Sequence, residues 1–192
     1  LETATDQKQL DDMVLSLNEA KENLTSKLVT KIEAESEDVL KIGNEANWGS
    51  ITGENISNLA IKTDLEGNKA EYTFNGDGIE VIGRKAIGTG IVKFTVYKID
   101  EQNETIVGEP KLVDTYQAET ADEQILFAYY GETGTYRIEC ENTGTYNENS
   151  NGSNNMIIDY FNVVNKYELD VNKQFLQIAI EVADKVTEAE LS

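Results

Sequence analysis

Lys69-Ala70-Glu71-Tyr72-Thr73-Phe74-Asn75-Gly76-Asp77-Gly78-Ile79-Glu80-Val81-Ile82 is the stretch on which the fold turns. Ala70, Tyr72 and Phe74 alternate with Lys69, Glu71 and Thr73, the two-residue period of a strand with one face buried. Asn75-Gly76-Asp77-Gly78 then reads as a tight turn, because Asn and Gly accept positive φ cheaply. Residues 79–82 resume as a second strand.

Downstream the same signals recur over 90–99, 112–116, 124–128, 135–141 and 156–164, with polar turns between them at 84–89, 100–108, 117–123, 129–134 and 142–155. Strands at this spacing, with no helical pattern between them, predict a mainly β protein, an antiparallel β-sandwich. Upstream, 31–42 carries one or two strands, and 43–67 is a long polar stretch that is either a functional loop or hides a short strand. The outermost segments have a different period. Leu10, Met13, Val14, Leu17, Ala20, Leu24 and Leu28 form one helical stripe, and Leu176, Ala179, Ile180, Ala183 and Val186 another. The expected organisation is therefore a helix over 1–29, the β block over 30–165 and a helix over 166–192. The chain opens inside a helical pattern, as a piece cut from a longer protein would.

Composition narrows the function. Among 192 residues, 39% are hydrophobic, enough for a packed core. Lys and Arg number 16 against 36 Asp and Glu, a formal net charge of −20. That sign argues against nucleic acid and against an anionic membrane surface. No apolar run approaches the roughly 20 residues of a membrane-spanning helix. Cys140 is alone, so no internal disulfide forms, and it sits at an apolar strand position. Histidine is absent, and no nucleophile set, phosphate-cradling glycine loop or metal-binding cysteine spacing is present. The carboxylates single out no catalytic pair. A binding module is expected, not an enzyme.

Antiparallel strands send successive loops to alternate ends. With the 75–78 turn at one end, 43–68, 84–89, 117–123 and 142–155 gather at the other, bringing Trp48, Arg84, Lys85, Tyr146, Asn147 and Asn149 together. An aromatic ring against the C–H face of a sugar, with amides and a guanidinium on its hydroxyls, is the chemistry of saccharide recognition. Plainer accounts remain open for the same residues. The Asn-rich run forms turns, Trp48 packs in the core, and Arg84 pairs with surface carboxylates.

Asp159 alternates with Ile157, Phe161 and Val163 on the side expected to face inward. A buried carboxylate needs a cation or several donors. If the first and last strands are neighbours, Glu33 and Glu35 approach it, and three carboxylates suit Ca²⁺. Otherwise Asp159 accepts backbone N–H groups or faces outward.

Lys31-Ile32-Glu33-Ala34-Glu35 opening the block, Tyr72 to Gly83 within it, Val113-Asp114-Thr115-Tyr116, Gln124-Ile125-Leu126-Phe127 and the closing Ile158-Asp159-Tyr160-Phe161-Asn162-Val163 resemble the galactose-binding-domain-like carbohydrate-binding modules over about 31–164. The resemblance implies a jelly-roll β-sandwich and a non-catalytic glycan binder. It also implies a structural Ca²⁺ held by Glu33, Glu35 and Asp159. The flanking helices, Thr5 to Leu24 and Asn172 to Ala183, resemble parts of FIVAR modules, three-helix spacers of large bacterial surface proteins. Together they imply an extracellular or cell-surface bacterial protein, a glycosidase or adhesin, whose module is a monomer beside others on one chain. The alternative is a structural spacer or protein-contact module with no sugar site.

Overall fold

Where the sequence predicts a hairpin, there is a single bent strand. In the computed structural model, which describes Val29–Asn165 apart from Gln102, β5 runs unbroken over Lys69–Lys85. Its neighbour β9, Ala121–Tyr146, is also continuous, so the turn expected at 129–134 is strand as well. The two pair antiparallel from Lys69↔Glu141 to Lys85↔Ala121, with a register shift between Gly76 and Gly78. Four glycines meet there, Gly76 and Gly78 on one strand and Gly131 and Gly134 on the other. A Cβ on Gly78 would stand 2.5 Å from the Tyr129 carbonyl oxygen, so only glycine lets the backbones approach. A shift of this kind bends both strands without ending either. The expected turn is therefore a corner.

The remaining elements are β1 (Val29–Glu33), β2 (Leu40–Ile42), a 3₁₀ turn (Glu45–Asn47), β3 (Gly49–Ile51), β4 (Ala60–Thr63), β6 (Gly90–Asp100), β7 (Asn103–Ile106), β8 (Lys111–Asp114) and β10 (Met156–Val164). The stretch 43–67 thus holds two short strands, and the predicted turn at 100–108 holds β7. One antiparallel sheet orders them β3-β4-β10-β5-β9-β6-β7, with β1 on β10, β2 on β5 and β8 on β6. The two predicted terminal helices lie outside the described residues. Among the described residues no helix is long and apolar enough to cross a membrane.

β10 pairs with the second half of β5, whereas β2 pairs with its first half. The sheet consequently curls around one core containing Phe74, Val81, Phe94, Tyr136, Ile138, Ile158 and Phe161. Rings from the two curled halves meet across it. Tyr72 lies 5.5 Å from Phe161, and Phe94 stacks on Phe127 at 4.9 Å. Each fully buried phenylalanine contributes about 2–3 kcal/mol. Cys140 is fully buried in the same core, which pushes its thiol up, with Glu139 and Glu71 adding to the effect. On the outer face the alternate residues form an ion lattice. Arg137 reaches Glu71 at 2.8 Å and Glu104 at 2.7 Å, Lys69 reaches Glu139 at 3.1 Å, and Tyr97 stacks on the guanidinium.

Candidate functional site

The connections after β5, β8 and β9 meet at one rim, as their backbone hydrogen bonds show. Asn151 N–H donates to the Ile87 carbonyl at 3.2 Å, Asn155 N–H to Gly88 at 3.1 Å, and Gln117 N–H to Ala86 at 3.2 Å. Two side-chain networks lock the rim from beneath. Asn142, 1% exposed, donates through Nδ2 to the Thr63 carbonyl at 3.1 Å and the Asn154 carbonyl at 3.0 Å, and its Oδ1 accepts Gly144 N–H at 2.9 Å. Asn68 extends this set by donating to Thr63 Oγ1 at 2.8 Å and accepting Asn44 N–H at 3.0 Å. In the second network Thr89 Oγ1 donates to the Thr115 carbonyl at 2.6 Å, and Thr115 Oγ1 to the Gly90 carbonyl at 2.7 Å. Buried side chains whose polar atoms are all engaged hold a loop in one conformation.

Tyr146 ends β9 at this rim, 49% exposed, opposite Gly90. Beside it Asn147 Nδ2 donates to Asp114 Oδ2 at 2.6 Å, while its Oδ1 accepts Asn149 N–H at 2.9 Å and Nδ2 at 3.1 Å. Tyr146, Asn147 and Asn149 thus form one group. The rest of the run also folds as side-chain-capped turns, with Asn151 Oδ1 accepting Ser153 N–H at 3.1 Å. Arg84 and Lys85 end β5, next to the turn to which Asn151 is pinned. Arg84 already grips Asp122, Nε to Oδ1 at 2.6 Å and Nη2 to Oδ2 at 3.1 Å. Trp48 packs against the core, its Nε1 buried without a hydrogen-bond partner. Among the described residues no hydrogen bond or ring contact joins Trp48 to Arg84 or Tyr146.

Sequence reasoning missed Asp114, whose place at the end of β8 carried no motif. It also missed a cluster on the outer strand face, because the sequence predicts a turn at 129–134 where β9 continues. There the Tyr130 hydroxyl donates to Glu80, whose other oxygen accepts Asn162 Nδ2 at 3.1 Å. That bond, with burial second, pushes the tyrosine up to about 12. At an open flank of the curled sheet, Phe94, Val96, Leu112, Phe127 and Tyr129 line an apolar hollow of about 570 Å³.

A second candidate lies where β1 meets β10. Their pairing sets Glu33 against Tyr160 and bonds Ala34 N–H to the Asp159 carbonyl at 3.0 Å. Asp159, 1% exposed, sits where the β10–β5 register shifts between Ile158 and Tyr160. Its Oδ2 accepts Ser57 N–H at 3.1 Å, and Ser57 Oγ donates to Glu33 Oε1 at 2.7 Å. Asp159 Oδ1, Glu33 Oε2 and Glu35 Oε2 are buried with no hydrogen-bond partner. Burial pushes the Asp159 carboxyl up, against the pull of Ser57 N–H and Lys31, while Glu33 and Glu123 push it further. Orphaned carboxylate oxygens are donors of the type a hard cation takes. As the side chains stand, no group of three or more acidic residues among the described residues is gathered to hold an ion.

No protein-family model matches the sequence, and no curated protein does. Solved structures match at the level of fold. A two-domain esterase active on acetylated mannans, co-crystallised with mannopentaose, is similar at a TM-score of 0.50 and 14% identity, over 73% of this chain and 37% of that one. The neighbours include carbohydrate-binding modules. TmCBM61 in complex with β-1,4-galactotriose matches at a TM-score of 0.41 and 14% identity, over 68% of this chain and 91% of that one. The C-terminal CBM6 of the laminarinase LamC from Zobellia galactanivorans matches at 0.36 and 17% identity, over 71% and 98%. The chain spans little more than a third of the esterase. At this identity the esterase likeness is one of fold alone, and the two module likenesses, below a TM-score of 0.5, carry nothing further.

Proposed function

We propose that this is a non-catalytic, glycan-binding module with a jelly-roll β-sandwich fold, and that it holds a saccharide at the locked rim. The observation that carries the reading is the exposed Tyr146 ring beside the Asn147–Asp114 pair, 2.6 Å apart, on loops fixed by buried asparagine and threonine side chains. An aromatic face flanked by directional amide and carboxylate groups is the plan of a sugar site. In this reading Asn147, Asn149 and Lys85 contact hydroxyls. Arg84 contributes through its grip on Asp122, and Trp48 through its packing against the core. The parent is a secreted or cell-surface multimodular bacterial protein, and the flanking segments belong to neighbouring FIVAR-like modules.

Glu33, Glu35 and Asp159 hold a structural calcium ion in the same reading. When bound, the ion supplies positive charge to three oxygens that otherwise lack partners. The residues themselves tie β1 to β10 and to the Ser57 loop. A glycan array on the 192-residue chain tests the function. Hits that fade on Tyr146→Ala support it, and an empty array across mammalian, plant and bacterial glycans rejects it. The apolar hollow at the open flank favours the alternative, a spacer or protein-contact module without a sugar site, which an empty array would leave standing.

A further inference from the structure

We propose that Tyr130 and Glu80, on the outer face of β9 and β5, receive an arginine side chain from a basic protein partner. The molecule itself shows what such a pair takes. Lys31 Nζ lies 3.9 Å from the centre of the Tyr160 ring and 3.1 Å from Glu33 Oε1. The Arg137 guanidinium lies 4.2 Å from the centre of the Tyr97 ring and 2.7 Å from Glu104 Oε2. In each case a tyrosine face and a glutamate share one cation, the ring quadrupole adding to the attraction of the carboxylate. Tyr130 and Glu80 repeat the pair. Among the described residues, however, no cationic side chain lies over this ring and none pairs with Glu80, whose carboxylate is bonded to Tyr130 and Asn162.

The ring is fixed with a face open to solvent. Gly78 stands opposite Tyr130 in the ladder, and a Cβ there would lie 2.6 Å from Tyr130 Cδ1. At its far end the tyrosine hydroxyl donates to Glu80, two residues along β5. The ring therefore lies along β5 from Gly78 to Glu80, and the residue stays 57% exposed. Asn162 Nδ2 holds the other Glu80 oxygen at 3.1 Å. Both donors are neutral, so the carboxylate is oriented but its charge is not offset, and it keeps lone pairs for a further donor. The surroundings are negative as well. Burial pushes the Tyr160 hydroxyl up, and Glu123, Asp159, Glu33 and Glu80 push it further, in a chain of net charge −20. A complementary partner is basic. A guanidinium is planar and stacks on a ring while its edge donates to a carboxylate, which a compact ammonium does less well, so arginine is the side chain that fits.

The test titrates tetra-arginine amide and tetra-lysine amide into the ¹⁵N-labelled 192-residue chain, Tyr130→Leu and Glu80→Gln. The salt is held at about 0.15 M, which screens long-range attraction between exposed charges. Tetra-arginine is expected to shift the amides of Tyr130, Glu80 and Asn162, and each substitution to weaken it about fivefold. Glu80→Gln keeps the size of the side chain and its capacity for hydrogen bonds, so it reports on charge even if Tyr130→Leu disturbs the strand. Tetra-lysine is expected to bind several-fold more weakly, and equal binding overturns the choice of arginine. No shift at the three residues, or shifts spread over other acidic surfaces and kept in both variants, overturns the docking point. The rim at 146–151 plays no part in this titration, so its outcome is independent of the glycan reading.

Discussion

Asn142→Ala tests whether the rim is held from below. The side chain is 1% exposed and makes three hydrogen bonds, to Thr63, Asn154 and Gly144, at 2.9–3.1 Å. Each such bond contributes about 0.5–1.5 kcal/mol net, and the loss is larger when the abandoned partners stay buried. Thr63 is itself 1% exposed, so its carbonyl gains no water. The expected cost is about 3 kcal/mol. For a domain of this size that lowers Tm by about 10 °C. Equilibrium urea unfolding of the native chain and the variant measures it, with Asn149→Ala, at an exposed turn, as a control expected within about 0.5 kcal/mol. If the locked rim also positions the saccharide, the variant binds more weakly well below its melting temperature. A cost under about 1 kcal/mol at unchanged urea dependence would refute the reasoning, because the network would then be incidental to the fold.

Other substitutions probe separate parts of the molecule. Asp159→Asn removes a charge that burial penalises, so in EGTA it raises stability by about 1–2 kcal/mol and abolishes any gain from calcium; a loss in EGTA would mean that the charge is already matched. Arg84→Ala strips the two-point grip from Asp122, costing about 1–3 kcal/mol by urea unfolding, whereas a change below 0.5 would mark a solvent-screened pair. The Arg137 hydrogen bond holds the Glu104 carboxyl below the usual glutamate range. A depressed folded value contributes stability that is present above the unfolded pKa, about 4.3, and lost as pH falls through the folded one. Glu104→Gln should therefore flatten the acid limb of the stability curve below about pH 4.3, and superimposable limbs would contradict the assignment.

The strands were legible because their apolar residues alternate and burial enforces the alternation. Ala70, Phe74, Val92, Phe94, Val96, Phe161 and Val163 all face the core that their spacing predicts. The corner was not legible, since Asn-Gly-Asp-Gly serves a tight turn and a strand bend equally. The deciding contact is with Gly131 and Gly134, more than fifty residues away. β3 and β4 escaped because strands of three and four residues are too short to display a period. Where β1 meets β10, alternation along β10 marked Asp159 as an inward carboxylate, and the pairing of first and last strands brings Glu33 to the same Ser57. Ser57, which binds Glu33 and Asp159, and Lys31, which pairs with Glu33, left no signal, because one comes from an unpatterned loop and the other is an ordinary strand lysine. Asn147 and Asn149 were visible as an Asn-rich run. Their partner Asp114 is fixed by β8 pairing with β6, a long-range fact.

The central claim is that a saccharide rests on the locked rim against Tyr146. Its most direct measurement is a ¹H–¹⁵N NMR titration of the assigned chain with a glycan that the array selects. Chemical-shift changes concentrated at Asp114, Tyr116 and residues 146–151, and lost in Tyr146→Ala, are the predicted result. Changes centred on the Tyr130–Glu80–Asn162 face or on the apolar hollow, with residues 146–151 unmoved, would contradict it.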